Sequence, residues 1–116
     1  MMKLAKKYKA KITIGSDFVD NAEQKKEQSY ELTNRLKWFT ATEILNQATA
    51  GNAEILYLSG PRNPYPGKLG VIQEGALADI LQVEGNPVED LTLFHNPEEN
   101  LVLIMKDGKI YKNILN

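Results

Sequence analysis

A stretch rich in proline and glycine, residues 59–70, divides the chain and constrains its fold more than any other feature. It holds three of the five prolines and three of the eight glycines. Proline removes a backbone donor and fixes φ, while glycine favours turns, so neither a helix nor a strand runs easily through such a stretch. The pattern predicts an irregular loop here, or the boundary between two structural units.

The first 35 residues predict a helix end, a short strand and an exposed loop. Residues 1–10 place apolar side chains at helical spacing, and the β-branched run 11–14 predicts a strand that stops at residues 15–17. Residues 18–35 are mostly polar and charged, so we expect an exposed loop that can hold a helical turn.

The clearest helix signal begins at Thr40. Thr40 and Glu43 have the spacing of a capping box, in which each side chain satisfies the backbone amide of the other residue. Four apolar residues then recur on one helical face. We expect Gly51 to end this helix in a left-handed conformation and Asn52 to cap a second short helix over residues 53–58. The apolar face consists of Ala41, Ile44, Leu45 and Ala48.

Strand signals dominate the residues beyond the loop. Residues 70–75 predict a short strand followed by a turn, and residues 79–83 predict a stronger strand. Residues 101–105 and 109–111 flank Asp107-Gly108, a dipeptide typical of two-residue hairpin turns. Helices in the first half and antiparallel strands in the second half predict an α+β fold.

Composition and charge exclude several classes of protein. Fourteen basic and fifteen acidic residues leave a net charge of -1, which argues against a nucleic-acid binder. The absence of cysteine excludes disulfides and thiolate metal sites. No apolar run reaches the roughly 18 residues of a membrane span, and residues 1–11 have no apolar signal-peptide core. We expect no membrane partner and, by default, a cytoplasmic location, unless a longer parent carries an export signal.

A succession of short motifs resembles one known family. Gly15-Ser16-Asp17 and Thr42-Glu43-Ile44-Leu45 precede the loop. Ala78-Asp79-Ile80-Leu81, Gly85-Asn86-Pro87 and Lys106-Asp107-Gly108-Lys109 follow it. In this order, the motifs resemble the C-terminal segment of the metal-dependent amidohydrolase superfamily, near its imidazolonepropionase-like and Xaa-Pro dipeptidase-like members.

The resemblance implies a (β/α)₈ barrel joined to a small β-sandwich. Residues 1–60 would be the end of the barrel, with its eighth strand and the helices that follow it. Residues 61–116 would be the C-terminal part of the β-sandwich, and the two parts together would form one compact unit. The other barrel strands and the N-terminal part of the sandwich would lie outside this sequence.

The resemblance also implies a role for Asp17. It matches the carboxylate at the tip of the eighth strand, which in the family binds the catalytic metal and takes a proton from metal-bound water. The tripeptide alone favours a tight turn in which Asp17 bonds nearby backbone amides, and only the succession of motifs after it favours a metal-ligand position. A catalytic zinc takes about three protein ligands, and the histidines of the family pattern are outside this sequence, so the predicted site is incomplete.

Two other polar residues have structural interpretations. His95 is the single histidine, and its neighbours Asn96 and Pro97 favour a surface or turn position. Asp79 precedes a predicted strand, where we expect it to bond turn backbone rather than to carry chemistry.

Two functions follow from this sequence. The first is the C-terminal portion of a metal-dependent hydrolase that cleaves non-peptide or dipeptide carbon–nitrogen bonds, with zinc in the complete parent, no cofactor in this chain and no activity in isolation. The alternative is a non-enzymatic, self-associating interaction or structural domain derived from an amidohydrolase. Unpaired strand edges invite pairing, so we expect a homo-oligomer or a partner chain that supplies the rest of the barrel.

Overall fold

The computed structural model describes residues 1–17 and 27–115, which form helices and one small sheet. This architecture confirms the predicted α+β class. No helix within the described ranges is long and apolar enough to cross a membrane. The α-helices are α1 (Met2–Lys7), α2 (Tyr30–Asn34), α3 (Ala41–Asn46), α4 (Asn52–Tyr57) and α5 (Pro97–Asn100). The strands are β1 (Ile80–Val83), β2 (Leu101–Lys106) and β3 (Lys109–Asn113). Short 3-10 helices span Arg35–Lys37, Gly60–Arg62 and Leu91–His95.

Helix α3 begins with the predicted capping box. The Glu43 amide donates to Thr40 Oγ1 at 3.3 Å, and the Thr40 amide donates to Glu43 Oε2 at 2.8 Å. The bond from the Thr40 amide is the main cause that lowers the pKa of Glu43, and Lys6 adds to the effect. Ile44 on the predicted apolar face is completely buried.

The predicted break at Gly51 is wrong. Gly51 has helical angles, φ -63° and ψ -43°, and the chain continues from α3 through a π-helical turn, Gln47–Gly51, into α4. Continuing the helix buries Ala53, which is 4% exposed. Asn52 therefore lies inside a helix, and its side chain bonds to a different part of the chain instead of capping α4.

The sheet is an antiparallel meander with strand order β1-β2-β3. The predicted hairpin is confirmed, because Lys106 pairs with Lys109 around a two-residue turn. Asp107 and Gly108 both have positive φ, 48° and 76°, as a type I′ turn requires. The strand predicted at the start of residues 70–75 does not form; these residues bend, and Gly70 takes φ 71°.

Two predictions for the first 35 residues also need correction. Residues 11–14 belong to no sheet of the described chain, because side chains rather than a neighbouring strand take their backbone hydrogen bonds. The predicted loop over residues 18–35 does hold helical structure, from Tyr30 onward, but it is not exposed throughout, since Leu32 packs on the core and Arg35 is buried with polar partners. Residues 18–26 of that prediction lie outside the described ranges.

The hydrophobic core is small and draws on both halves of the chain. Phe39 and Ile44 from the helical half pack with Leu91 from the second half. Ala53 and Val102 are the other buried apolar side chains among the described residues. So few fully buried groups make the fold sensitive to each close contact between its elements.

One such contact joins the loop to the helix. Residues 59–70 are irregular apart from a 3-10 turn, as predicted. The loop lies so close to the π-helical turn that a Cβ on Gly70 would fall 2.5 Å from the backbone carbonyl of Thr49. Tyr57 holds the same region, because its hydroxyl accepts a hydrogen bond from the Leu69 amide at 2.7 Å.

Replacing Gly70 by alanine should therefore destabilise the chain by about 3 kcal/mol, through the clash with Thr49 and the positive φ together. Thermal unfolding followed by circular dichroism measures the loss. Gly75→Ala is the matched control, because Gly75 has φ 79° and no atom lies within 4 Å of a Cβ added there, so this change should cost only about 1 kcal/mol. Equal losses in the two variants would contradict a role for close packing at Gly70.

Candidate functional site

Side chains hold the extended segment that leads to Asp17. The Ile14 amide donates to Asn52 Oδ1 at 2.8 Å, and Asn52 Nδ2 donates to the Ile14 carbonyl at 3.0 Å. This pair of bonds is what a neighbouring antiparallel strand would exchange with Ile14. The Asn52 side chain thus takes the place of a strand partner at this residue.

Arg35 fixes the same segment from another side. The residue is 5% exposed, and its guanidinium group donates to Glu31 Oε1 at 2.8 Å and to the Thr13 carbonyl at 2.8 Å. A third bond reaches Gln47 Oε1 at 3.1 Å. A buried cation is tolerated only when its donors are satisfied, and here one residue joins the extended segment, α2 and the helix that follows α3.

Asp17 lies at the end of this tethered segment. It is exposed and has φ 56°, a left-handed conformation that aspartate adopts more readily than most residues. Its neighbour Ser16 lines a shallow pocket of about 230 Å³, whose wall includes Glu27 and Glu31. The sequence-predicted carboxylate is therefore exposed beside a polar surface, and its catalytic role stays a prediction.

A larger concave feature lies between the sheet and the continuous helical stretch 41–57, which consists of α3, the π-helical turn and α4. We call it the helix–sheet groove; its volume is about 760 Å³ and its lining is mainly apolar. Leu45 and Ala53 line its helical side, and Ile80 and Ile104 line its sheet side. Apolar grooves of this size bind small molecules or apolar segments of polypeptide.

Asp79 and Lys106 are the charged residues at the rim of the groove. Asp79 accepts the Asp107 amide at 2.7 Å and Lys106 Nζ at 3.2 Å, so it holds the β2–β3 turn to the start of β1. Asp79 therefore has the expected structural role of bonding turn backbone. The turn that it binds, however, is that of the β2–β3 hairpin and not one next to β1 in the sequence. The bond from the Asp107 amide, aided by Lys106, lowers the pKa of Asp79, and Asp79 raises the pKa of Lys106.

His95 lies at the end of the 3-10 helix Leu91–His95 and is half-buried. Its Nε2 is 3.0 Å from Thr33 Oγ1, and its ring centroid is 4.0 Å from that of Tyr30. His95 therefore connects the second half of the chain to α2. The sequence indicated only a surface or turn position for this histidine.

Comparison with known proteins gives a consistent result. No protein-family model matches the chain. Ochratoxinase from Aspergillus niger is 37% identical over 73 residues, which are 63% of this chain and 14% of the enzyme. The crystal structure of an amidohydrolase superposes on 99% of this chain with a TM-score of 0.82 and 31% identity. The chain is a segment of the amidohydrolase superfamily.

Other solved amidohydrolases agree with this assignment. A prolidase complexed with N-methylphosphonate-L-proline matches 97% of the chain with a TM-score of 0.79 and 28% identity. The crystal structure of Aspergillus niger ochratoxinase matches 74% of the chain with a TM-score of 0.61 and 31% identity. The segment spans about a quarter of the length of the first two solved relatives.

Relatives in this superfamily are generally metal-dependent, so the residues of the amidohydrolase segment can be tested against a metal site. In residues 1–17 and 27–115, no group of three or more His, Cys, Asp or Glu side chains is placed to hold a metal ion. A catalytic zinc needs about three protein ligands. The described residues alone do not fit such a site, and any ion bound by Asp17 would need further ligands from outside them.

Replacing Arg35 by alanine should destabilise the amidohydrolase segment by about 3–5 kcal/mol, because Glu31 and the Thr13 carbonyl lose their buried partner. Chemical denaturation measures the change in the free energy of unfolding. Arg62, the other arginine, is exposed, so Arg62→Ala should change stability by less than about 0.5 kcal/mol. If Arg35→Ala were as stable as Arg62→Ala, the structural role of Arg35 would be excluded.

The lowered pKa of Asp79 predicts a pH dependence. A carboxylate with a lowered folded pKa stabilises the fold above its ordinary pKa, and the contribution is lost as the pH falls through the folded value. Asp79→Asn should cost about 1 kcal/mol near neutral pH, and the stability curves of variant and wild type should converge below about pH 4.

Urea unfolding across a pH series measures this dependence. Asp107→Asn is the control, because it removes a carboxylate from the same hairpin and keeps the backbone amide that Asp79 binds. A difference between Asp79→Asn and wild type that stays constant down to pH 2 would exclude the carboxylate as its cause.

Proposed function

We propose that the chain is the C-terminal portion of a metal-dependent hydrolase that acts on non-peptide or dipeptide carbon–nitrogen bonds. The observation that carries the proposal is the match of 99% of the chain to a solved amidohydrolase at 31% identity. The similarity to a prolidase bound to a proline derivative and to ochratoxinase supports this class of bond. We also propose that the protein is cytoplasmic.

In this proposal residues 1–60 end the barrel, residues 12–17 form its last strand once the neighbouring strands of the complete barrel are present, and residues 61–116 belong to the sandwich. Asp17 contributes one carboxylate at the mouth of the barrel, where chemistry in such folds takes place. The tethers from Asn52 and Arg35 fix the backbone that leads to this carboxylate. Bound zinc in the complete parent would supply Lewis-acid activation of water, and the isolated chain would be inactive.

A reconstitution assay tests this role. A solved amidohydrolase relative is produced without the segment that matches this chain, and the purified chain is added together with zinc. Hydrolysis of a dipeptide that ends in proline should appear only in the mixture. Asp17→Asn should lower the rate about 100-fold or more, because the carboxylate is proposed to act on the reacting water.

Asp107→Asn is the matched control for Asp17→Asn. Both aspartates are exposed and have positive φ, so the two substitutions impose the same backbone demand. The control should keep the rate of the wild-type mixture. Hydrolysis by the chain alone would contradict inactivity in isolation, and equal rates with Asp17→Asn and wild type would exclude Asp17 from the chemistry.

A second candidate function is a non-enzymatic domain that associates with itself. The apolar helix–sheet groove favours it, because an open apolar surface of this kind marks a contact site in a folded protein. In this case the amidohydrolase fold would persist as a scaffold for assembly.

A further inference from the structure

One peptide unit of the segment that leads to Asp17 is bonded from both sides. Peptide bonds are planar and trans, so the carbonyl of one residue and the amide of the next point in opposite directions. The Thr13 carbonyl accepts from Arg35 at 2.8 Å, and the Ile14 amide donates to Asn52 at 2.8 Å. Arg35 and Asn52 therefore approach this peptide unit from opposite edges and oppose both its rotation and its sliding.

The side chain of Asn52 matches the backbone of Ile14 chemically. A carboxamide carries one acceptor and one donor side by side, and here Oδ1 accepts from the Ile14 amide while Nδ2 donates to the Ile14 carbonyl at 3.0 Å. An ionised aspartate lacks the donor, and leucine, which has a similar size, lacks both groups. The pair of bonds thus depends on the chemistry of asparagine and not only on the space that it fills.

Both contacts start from the helical stretch 41–57. Asn52 belongs to α4 and is followed by Ala53, which is buried. Arg35 is itself oriented by Gln47 of the same stretch, whose Oε1 accepts from the guanidinium group at 3.1 Å. Groups that are held by a packed helix keep a more precise geometry than groups held by a loop. The helix is therefore the fixed reference for the segment.

Asp17 lies only three residues beyond Ile14. An extended chain rises about 3.3 Å per residue, so roughly 10 Å of backbone separates Asp17 from the bonded residue. Over so short a distance, a displacement of the Ile14 backbone also displaces Asp17. A misplacement of about 1 Å at a reacting centre can lower a rate about 100-fold.

The bonds between Asn52 and Ile14 are compatible with the complete fold. The superposition on the solved amidohydrolase covers 99% of this chain and 26% of that enzyme, with a TM-score of 0.82. The backbone that carries both residues thus follows nearly the path that it has in a chain with the rest of the fold. The bonds join residues of this chain alone, so they do not depend on what covers the helix–sheet groove.

We propose that Asn52 is a positioning residue for the hydrolysis, because its carboxamide takes the place of a strand partner at Ile14 and so fixes where the Asp17 carboxylate stands. The inference rests on the proposed hydrolase function and on the role of Asp17 in it. Asn52 acts through the backbone and does not touch the substrate. Its loss should therefore lower the rate of the chemical step and leave substrate binding unchanged.

Hydrogen exchange followed by NMR tests the contact itself, in the full chain alone and in its mixture with the truncated relative. The Ile14 amide should exchange at least about 10-fold faster in Asn52→Leu than in the wild type, because leucine offers no acceptor. Equal protection of this amide in the two proteins would overturn the inference. In the mixture, such a result would assign the Ile14 amide to a neighbouring barrel strand.

The mixture of the chain, the truncated relative and zinc tests the role in catalysis. Asn52→Leu should lower kcat about 10- to 100-fold and leave KM within about twofold of the wild-type value. Asn52→Asp keeps the acceptor for the Ile14 amide but loses the donor, so it should lower kcat about 10-fold. This second variant keeps the test decisive if Asn52→Leu does not fold.

Asn100→Leu is the matched control for Asn52→Leu. Asn100 is also half-buried, and its Nδ2 donates to a backbone carbonyl, that of Leu93, at 2.8 Å. Both variants therefore exchange a half-buried asparagine for leucine and remove a bond to backbone. Only Asn52 is bonded to the segment that leads to Asp17, so Asn100→Leu should keep kcat within about twofold of the wild-type value.

The outcomes separate this inference from the function on which it rests. If Asp17→Asn lowers the rate but Asn52→Leu lowers kcat no more than Asn100→Leu does, or only raises KM, the inference is overturned and the proposed function stands. If the wild-type mixture is inactive, or if Asp17→Asn keeps its rate, the proposed function is overturned and the inference with it.

Discussion

The buried guanidinium group of Arg35 is the interaction on which the arrangement of the helical half depends. It reaches the extended segment through the Thr13 carbonyl, helix α2 through Glu31 and the π-helical turn after α3 through Gln47. Burying a charge in so small a core is costly, and the cost is offset only while all three partners remain in place. The interaction therefore favours one arrangement of these elements over others that apolar packing alone would allow.

Directional polar bonds supply much of the order that a larger core would give. Asn52 bonds both backbone groups of Ile14, and Asp79 attaches the hairpin turn to the start of β1. Such bonds fix relative positions but add little net stability, since each replaces bonds to water. This explains how the chain can hold a defined fold and still leave an open groove between its helix and its sheet.

Local signals predicted the local structure. The Thr40–Glu43 capping box and the Asp107-Gly108 turn depend on residues a few positions apart, and the structure contains both. The same holds for strand β1. Fold class followed from these elements, and the family from the order of motifs along the chain.

Interactions between distant residues could not be predicted in this way. Glycine is typical of helix ends, but the chain stays helical through Gly51 because Ala53, two residues later, is buried. Arg35 looked like a surface charge because its partners Thr13 and Gln47 are 22 and 12 residues away. The π-helical turn Gln47–Gly51 has a related consequence. One extra residue in a turn rotates all later side chains by about 100° around the helix axis, so this single widened turn sets which face of α4 meets Ile14.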